Sequence, residues 1–121
     1  MSGPELKIKI QIYCGREIAM GPGKADLLDA ISSEGSISAA GRKLKMSYRR
    51  CWLLVDVMNR CWTAPLVATS SEGAVVTELG QRVLGRYRSM QKAVASAAGR
   101  THWPDLAEQL RGEPLPAQEH S

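Results

Sequence analysis

Two helix-start signals lie eleven positions apart near the middle of the chain, and they limit what it can fold into. Gly35 is a usual helix terminator, and the hydroxyl of Ser36 can cap a helix that begins immediately after it. A break follows at Lys45 and Met46, after which Ser47 can cap another helix. Two short helices joined by a tight turn are the pattern of a helix-turn-helix, so the sequence predicts this motif.

Apolar periodicity places the other elements around this motif. In chain order it predicts a strand at 6–13, a return strand at 18–20, helices at 24–35, 37–44 and 48–62, strands at 66–69 and 74–77 around a polar loop at 70–73, and a long helix from about 77 onward. The second hairpin occupies the position of a wing. The fold class is therefore mainly α with a small antiparallel sheet: a winged helix-turn-helix with a long C-terminal helix.

The helix at 48–62 is expected to turn one apolar stripe towards the core, formed by Cys51, Trp52, Val55, Met58 and Trp62. A chain of 121 residues suits one domain, which we place at 1–100 with a dimerisation helix at about 77–99. Residues 101–121 form an acidic tail that contains prolines, and we expect it to be partly disordered. One short helix of this tail can dock through Trp103, Leu106 and Leu110.

Positive charge is concentrated on the helix-turn-helix. Residues 42–50 carry five basic side chains and no acidic one, whereas residues 101–121 carry one basic and four acidic side chains. Neighbouring cations repel one another and add nothing to a core, so this cluster indicates a polyanionic partner. We expect that partner to be double-stranded DNA.

The candidate DNA contacts are hydroxyl, aromatic and cationic side chains on the two helices and the wing. They are Ser36, Ser38, Arg42, Lys43, Ser47, Tyr48, Arg49, Arg50, Ser70 and Ser71. Groups near the start of the first of these helices are expected to hold phosphates and fix the register. Arg49 or Arg50 can pair bidentately with a guanine, while Tyr48 can stack on a sugar or touch a thymine methyl. Which arginine reads a base stays open.

The long C-terminal helix carries an apolar stripe that is long enough to meet a partner as well as the core. Its members recur at spacings of three and four: Leu79, Val83, Tyr87, Met90 and Val94. We interpret the stripe as the contact of a homodimer. Such a dimer would present two recognition helices about 34 Å apart, one turn of B-DNA, to an inverted repeat.

Four segments resemble, in order, the amino-terminal DNA-binding domain of the molybdate-responsive ModE family, whose winged helix is related to that of LysR-type regulators. They are GPGKADLL, GSISAAGRKL, MSYRRCWLLVDVMN and TELGQRVLGRYR, and the resemblance covers residues 6–95. It implies a bacterial winged-helix transcription regulator that acts as a homodimer on operator DNA, with its recognition helix at 47–59. The chain stops before the paired molybdate-binding domains of full-length members, so we expect it to bind no molybdate or other cofactor.

Several classes of function lack their signals. The chain has no apolar run of signal-peptide or membrane-spanning type, so we expect a cytoplasmic protein with no membrane partner. The two histidines, His102 and His120, lie in the tail away from any nucleophile pattern, and we expect no enzyme. The three cysteines lack the CxxC spacing of a metal site.

Two alternatives to a simple regulator remain open. In the first, a metal, an oxyanion or a thiol oxidant tunes DNA binding from within this single domain. Cys51 and Cys61 are ten residues apart on one helix, about 15 Å, which is too far to share an ion, so we expect both to fill the core. In the second alternative, the chain is a protein-interaction adaptor that has kept the fold and lost DNA binding.

Overall fold

The computed structural model describes residues 3–118, so the end of the predicted tail at 119–121, with His120, lies outside the described residues. The elements are β1 (Ile12–Cys14), β2 (Glu17–Met20), α1 (Pro22–Glu34), α2 (Ile37–Leu44), α3 (Tyr48–Cys61), β3 (Val67–Ser70), β4 (Gly73–Val76), α4 (Glu78–Gly99) and α5 (Trp103–Glu108). The strands form two antiparallel hairpins, β1–β2 and β3–β4. The predicted fold class is confirmed.

Local capping explains where the helices begin and end. Gly35 closes α1 with a left-handed backbone (φ 76°), and its N–H donates to the carbonyl of Ile31. The hydroxyls of Ser36, Ser47 and Thr77 each accept a hydrogen bond from a backbone N–H three residues later, at 3.0 to 3.1 Å. Gly35 and Ser36 end α1 and begin α2, and Ser47 begins α3, so the three segments form separate helices.

The core lies between α1, α3, α4 and the two hairpins. Its largest fully buried side chains are Tyr87, Met20, Leu27, Leu28, Ile31, Met58, Leu66, Val55 and Cys51. No charged or polar side chain of the described residues is buried. The ion pairs that join helices lie at the surface. Arg88 of α4, for example, donates to Asp26 at 2.8 Å and to Asp29 at 2.6 Å, which holds α4 against α1.

Two strand predictions were wrong in extent. The strand expected at 6–13 covers only Ile12–Cys14, because its partner β2 is four residues long and leaves residues 6–11 without a neighbour to pair with. The wing has a two-residue turn, Ser71 and Glu72, in place of the expected four-residue loop, since Ser70 and Gly73 already pair across the hairpin.

The stripe expected to face the core from α3 also needs one correction. Cys51, Val55 and Met58 are buried, and the indole N–H of Trp62 donates to the carbonyl of Ala19 at 3.0 Å. Trp52, however, is 37% exposed, because it lies one position past the buried stripe and faces the wing. Within residues 3–118, no helix is both long and apolar enough to cross a bilayer.

Candidate nucleic-acid interface

The turn between α2 and α3 is tight because one residue adopts a left-handed backbone. Lys45 has φ 58° and ψ 41°, and the N–H of Met46 donates to the carbonyl of Gly41 at 2.8 Å. Gly41 is itself tightly placed: an added Cβ would lie 3.0 Å from both the Cys51 sulfur and the Met46 carbonyl oxygen. The glycine therefore lets α2 and α3 approach closely and sets the angle of the helix-turn-helix.

The amino-terminal turn of α3 is turned towards solvent. Tyr48, Arg49 and Arg50 are all exposed, and Tyr48 is 55% accessible. The hydroxyl of Ser47 accepts from the N–H of Arg50 at 3.1 Å, so this turn is held as a regular helix. Helix geometry brings Cys51 beneath the exposed turn, and its burial anchors this end of α3 in the core.

The two arginines of this turn point in different directions. With a buried stripe at 51, 55 and 58, a helix of 3.6 residues per turn places Arg49 on the opposite, outermost face. Arg50 lies on the flank near α1. Partial burial lowers the pKa of Lys24, and the charge of Arg50 lowers this pKa further, so Arg50 is within electrostatic range of the start of α1. Arg49 therefore projects furthest from the protein.

The five cations of residues 42–50 differ in how free they are to meet a ligand. Lys43 donates to the Ser33 hydroxyl at 3.1 Å and lies 4.0 Å from a carboxylate oxygen of Glu34. In the described part of the chain, the other four form no salt bridge: Arg42, Lys45, Arg49 and Arg50. These four exposed cations therefore dominate the potential at this end of the molecule.

The two serines at the start of α2 lie beside this cationic surface. The Ser36 hydroxyl caps the helix by accepting from the N–H of Ala39, while Ser38 is exposed in the first turn. The first N–H groups of a helix carry partial positive charge and suit a phosphate oxygen. Ser36 and Ser38 are thus placed to hold a phosphate, although Ser36 already uses its oxygen as an acceptor.

A groove runs between α3, the start of α2 and the wing. Its volume is about 170 Å³, and its walls include Ser36, Ser38, Tyr48, Trp52 and Ser70. The Tyr48 and Trp52 rings pack edge to face with centroids 6.2 Å apart. An exposed aromatic pair in a groove with hydroxyl groups offers stacking and apolar contact beside hydrogen bonds. The sequence pattern did not single out Trp52 for this surface.

The wing is short and carries no cation at its tip. The Ser70 hydroxyl accepts from the N–H of Glu72 at 3.2 Å, which tightens the turn. Gly73 has φ 131°, and an added Cβ there would lie 2.4 Å from the Gly35 carbonyl oxygen. The next N–H, that of Ala74, donates to the same oxygen at 2.9 Å. The wing is therefore pinned against the α1–α2 junction, with Ser70 and Ser71 exposed.

Asn59 connects α3 to the base of the wing, and sequence reasoning missed it. Its side-chain oxygen accepts from the N–H groups of Leu66 and Val67 at 2.9 and 3.1 Å, and its amide donates to the Val67 carbonyl at 3.0 Å. Three hydrogen bonds from one side chain fix the angle between α3 and β3. The only signal in the sequence is an asparagine inside a helix, a residue that helices do not favour.

The apolar stripe predicted for dimer contact divides between core and surface. Tyr87 is 2% exposed and its hydroxyl donates to the Ile10 carbonyl at 2.7 Å, so it belongs to the protomer's own core and the prediction for it is corrected. Leu79 and Val83 pack against that core and are partly buried. Met90 and Val94 remain exposed on the C-terminal half of α4. Periodicity alone could not separate these three situations.

Among residues 3–118, no group of three His, Cys, Asp or Glu side chains is placed to hold a metal ion. The helix-turn-helix face holds hydroxyls, aromatic rings and guanidinium groups, which suit a polyanion of regular shape.

No family model matches this chain. It is similar to the molybdenum-pterin-binding protein MopB of Rhodobacter capsulatus, with 37% identity over 101 residues that cover 77% of this chain and 37% of MopB. It is also 34% identical over 79 residues to the molybdenum transport protein ModE of Azotobacter vinelandii, which covers 61% of this chain and 29% of that protein. The chain thus spans about a third of the length of these relatives. They agree with the predicted ModE-like character.

Two solved structures share the architecture. The DNA-binding domain of CbnR, in complex with DNA, has a TM-score of 0.57 at 17% identity and covers 69% of this chain and 95% of that one. CbnR, a LysR family transcriptional regulator, has a TM-score of 0.53 at 18% identity and covers 66% of this chain and 28% of that one. At these identities the likeness concerns the fold. This chain has the winged-helix fold found in LysR-type DNA-binding domains.

Proposed function

We propose that the protein is a dimeric, sequence-specific DNA-binding transcription regulator. The observation that carries this proposal is the exposed amino-terminal turn of α3, with Arg49 on the face furthest from the core and no part of the described chain covering it. A helix end of this kind, supported by a second helix and a wing, suits the major groove of B-DNA. The shared fold with a protein in a DNA complex supports the same ligand.

The exposed groups divide naturally into positioning and reading contacts. Arg42, Lys45 and the α2 amino terminus, with Ser36 and Ser38, would hold phosphates and set the register of the protein on the duplex. Lys43 would join them by exchanging its contacts with Ser33 and Glu34 for a phosphate. These contacts carry affinity and make it sensitive to salt, because each neutralised phosphate releases counterions.

Base reading would fall to the first turns of α3. Arg49 projects furthest and is assigned to a guanine, with a bidentate pair to O6 and N7, while Arg50 on the flank is assigned to a phosphate. Ser47, at the amino end of α3, would add a backbone contact. Tyr48 and Trp52, which line one groove, would meet a sugar or a thymine methyl.

The wing would contact the adjacent backbone through Ser70 and Ser71, whose hydroxyls are exposed near its tip. Its reach is small, since the turn has two residues, and Glu72 opposes phosphate binding. Specificity would therefore come mainly from α3. We place the whole DNA-binding unit in residues 1–100, with the tail from 101 onward as an appendage.

Dimerisation would use the exposed C-terminal half of α4. Leu84 and Tyr87 are buried in the protomer, whereas Met90 and Val94 are 39% and 37% exposed. The two copies would then read half-sites about 34 Å apart in an inverted repeat. The ModE-like sequence supports a regulator of this class, while the molybdenum functions named for its relatives belong to proteins about twice as long.

Selection of bound duplexes from a random DNA pool tests the proposal directly. The unmodified protein should enrich an inverted repeat, and its affinity for that repeat should fall steeply as salt rises. The double variant Arg49→Ala with Arg50→Ala should fold and dimerise normally but enrich nothing. Arg60→Ala is the matched control, because Arg60 lies at the far end of α3 and pairs with Asp56 at 2.9 Å. Failure of the unmodified protein to enrich any sequence would refute the proposal.

A further inference from the structure

One large apolar side chain lies on the outermost face of α3. Leu53 is 55% exposed, while its neighbour Leu54 packs against the core. Leu53 follows Arg49 by four residues, so the two side chains project from the same face of the helix, about one turn apart. Single exposed leucines are common on protein surfaces, and exposure alone assigns no role to Leu53. Its role follows from its position beside the candidate reading arginine.

The charged groups that follow Leu53 on this face are engaged with each other. Arg60 donates from Nε to a carboxylate oxygen of Asp56 at 2.9 Å, so the two side chains together carry no net charge. A carboxylate at position 56 also disfavours close approach of a phosphate backbone. The part of the outermost face that is free to enter a groove therefore carries Arg49 and Leu53.

The surroundings of Leu53 are charged and suit a polyanion better than a protein partner. Its neighbours on the face are Arg49 on one side and Asp56 on the other, and the adjacent Trp52 is turned about 100° away, towards the wing. A docking surface for a protein needs a continuous apolar patch of several hundred Å², roughly, which one leucine does not provide. Leu53 therefore suits a single small apolar group displayed on a polyanion.

We propose that Leu53 reads the 5-methyl group of a pyrimidine in the major groove, next to the guanine assigned to Arg49. The inference rests on the proposed DNA-binding function and names a second base in each half-site. Side chains four residues apart on a helix are separated by about 5–6 Å, and successive bases of one strand by about 3.4 Å. The methyl group would therefore lie about one or two base pairs from the guanine.

The chemistry of the base edges limits what a leucine can recognise. In the major groove, guanine, adenine and cytosine present hydrogen-bond donors and acceptors, whereas thymine also presents a methyl group on C5. Leucine can neither donate nor accept, so its contact with a polar edge would remove water from that edge without replacing the hydrogen bond. Leu53 therefore favours thymine and disfavours the unmodified alternatives. The 5-methylcytosine base carries the same methyl group on the same ring atom and belongs to the same ligand class.

Removal of single methyl groups from the DNA tests the proposal. The probe is the duplex that the unmodified protein enriches from a random pool, with each thymine replaced in turn by deoxyuridine, which lacks only the methyl group. Fluorescence anisotropy should reveal one thymine per half-site at which this change weakens binding about fourfold, the effect of one buried carbon. This thymine should lie within two base pairs of the guanine whose recognition Arg49→Ala removes. At the same position, 5-methylcytosine should bind more tightly than cytosine by a similar factor.

Variants of Leu53 assign the effect to this side chain. Leu53→Ala should bind the thymine and deoxyuridine duplexes equally at that position, and its salt dependence should not change, because no phosphate contact is lost. Leu53→Met keeps an apolar side chain of similar volume and should retain the methyl dependence. The matched control is Leu106→Ala, because Leu106 is 61% exposed on α5, which packs on α4. Any methyl dependence produced by Trp52 would persist in all three variants.

The possible results distinguish this inference from the proposed function. If the unmodified protein enriches no duplex, both fail together. If it binds its repeat but deoxyuridine weakens binding at no position, DNA binding stands and the reading role of Leu53 is overturned. The same conclusion follows if Leu53→Ala keeps every methyl dependence, or if the dependence that it loses lies further than two base pairs from the guanine. Should Leu53→Ala not fold, Leu53→Gln replaces it, since glutamine keeps the length of the side chain and removes its apolar end.

Discussion

Gly80 in α4 lies directly against the backbone of Leu66, so closely that a Cβ added to Gly80 would be 2.3 Å from the Leu66 carbonyl oxygen. The same Cβ would be 2.6 Å from a methyl group of Val76. This approach coincides with a hydrogen bond from the Thr77 N–H to the Leu66 carbonyl at 2.9 Å. The start of the long helix is therefore seated on the strand that leads into the wing.

The first prediction concerns this close approach. Gly80→Ala should destabilise the protein by roughly 3 kcal/mol, because the clash is with backbone and cannot be relieved by a side-chain rotation. Gly85→Ala is the matched control on the same helix: Gly85 has no atom within 4 Å of an added Cβ, and alanine should stabilise the protein by about 0.5–1 kcal/mol. Urea unfolding curves measure both. Equal stabilities for the two variants would contradict the close approach.

The second prediction separates the two arginines of α3. Arg49→Ala should remove discrimination at one base pair of each half-site, about 1–3 kcal/mol, because the outermost guanidinium is assigned to a base. Arg50→Ala should weaken binding to all sequences alike and reduce the salt slope by about one unit, because it removes one phosphate-binding cation. Fluorescence anisotropy with single-substitution duplexes over a salt series distinguishes them. The reverse pattern would exchange the two assignments.

The third prediction concerns the wing tip. Glu72→Gln should tighten DNA binding and Glu72→Lys should tighten it further, since the side chain sits at the turn and opposes the phosphate backbone. The lysine variant should also steepen the dependence of affinity on salt. Glu108→Lys makes the same charge change on α5, which packs on α4, and should have little effect. Equal gains from both lysine variants would mean that only net charge matters and that the wing makes no contact.

The fourth prediction concerns the clamp between α3 and β3. Asn59→Ala removes an acceptor of two backbone N–H groups and a donor to one carbonyl, and should destabilise the fold by at least about 2 kcal/mol. Asn59→Asp keeps the acceptor of the two N–H groups but places a carboxylate oxygen against the Val67 carbonyl, so it should destabilise the fold as well, through repulsion at that oxygen. Thermal unfolding gives the order of the three proteins. Hydrogen exchange at Leu66 and Val67 should rise most in the alanine variant.

The helix boundaries were largely predictable because helix caps are local signals. Ser36, Ser47 and Thr77 each satisfy an N–H three residues away, and Gly35 supplies the left-handed residue that ends α1. Such features depend on neighbouring residues alone, so a short window of sequence contains them. The helix-turn-helix followed from the caps at Ser36 and Ser47, while apolar periodicity placed the other elements.

Features that depend on distant partners were less predictable. The alternation at 6–13 has the period of a strand, yet pairing ends where β2 ends, and no property of those residues reveals the length of their partner. Trp52 was expected in the core and is exposed, whereas Tyr87 was expected at a dimer contact and is buried, for a similar reason. A repeat of three and four residues indicates that a face is apolar, whereas the neighbouring elements decide whether that face is covered.

The candidate site also contains features that neighbouring residues determine and features that distant partners determine. Exposure of Tyr48, Arg49 and Arg50 followed from their position outside the buried stripe, which the sequence contains. The hydrogen bonds from Asn59 to the base of the wing did not, because they join elements whose relative positions arise from packing. Lys43 likewise meets Ser33 only because α1 and α2 lie side by side.

The final prediction tests the dimer surface on α4. Met90→Asp with Val94→Asp should convert a dimer into a folded monomer, because both side chains are exposed in the protomer and buried carboxylates would oppose association. Sedimentation equilibrium gives the mass, and circular dichroism reports the fold. The control is Leu106→Asp with Leu110→Asp, which changes two exposed leucines near α5 and should leave the dimer intact. DNA binding by the α4 variant should fall steeply, since one half-site alone lacks the second recognition helix. A dimer that survives the α4 changes and dissociates with the control would move the interface to the tail.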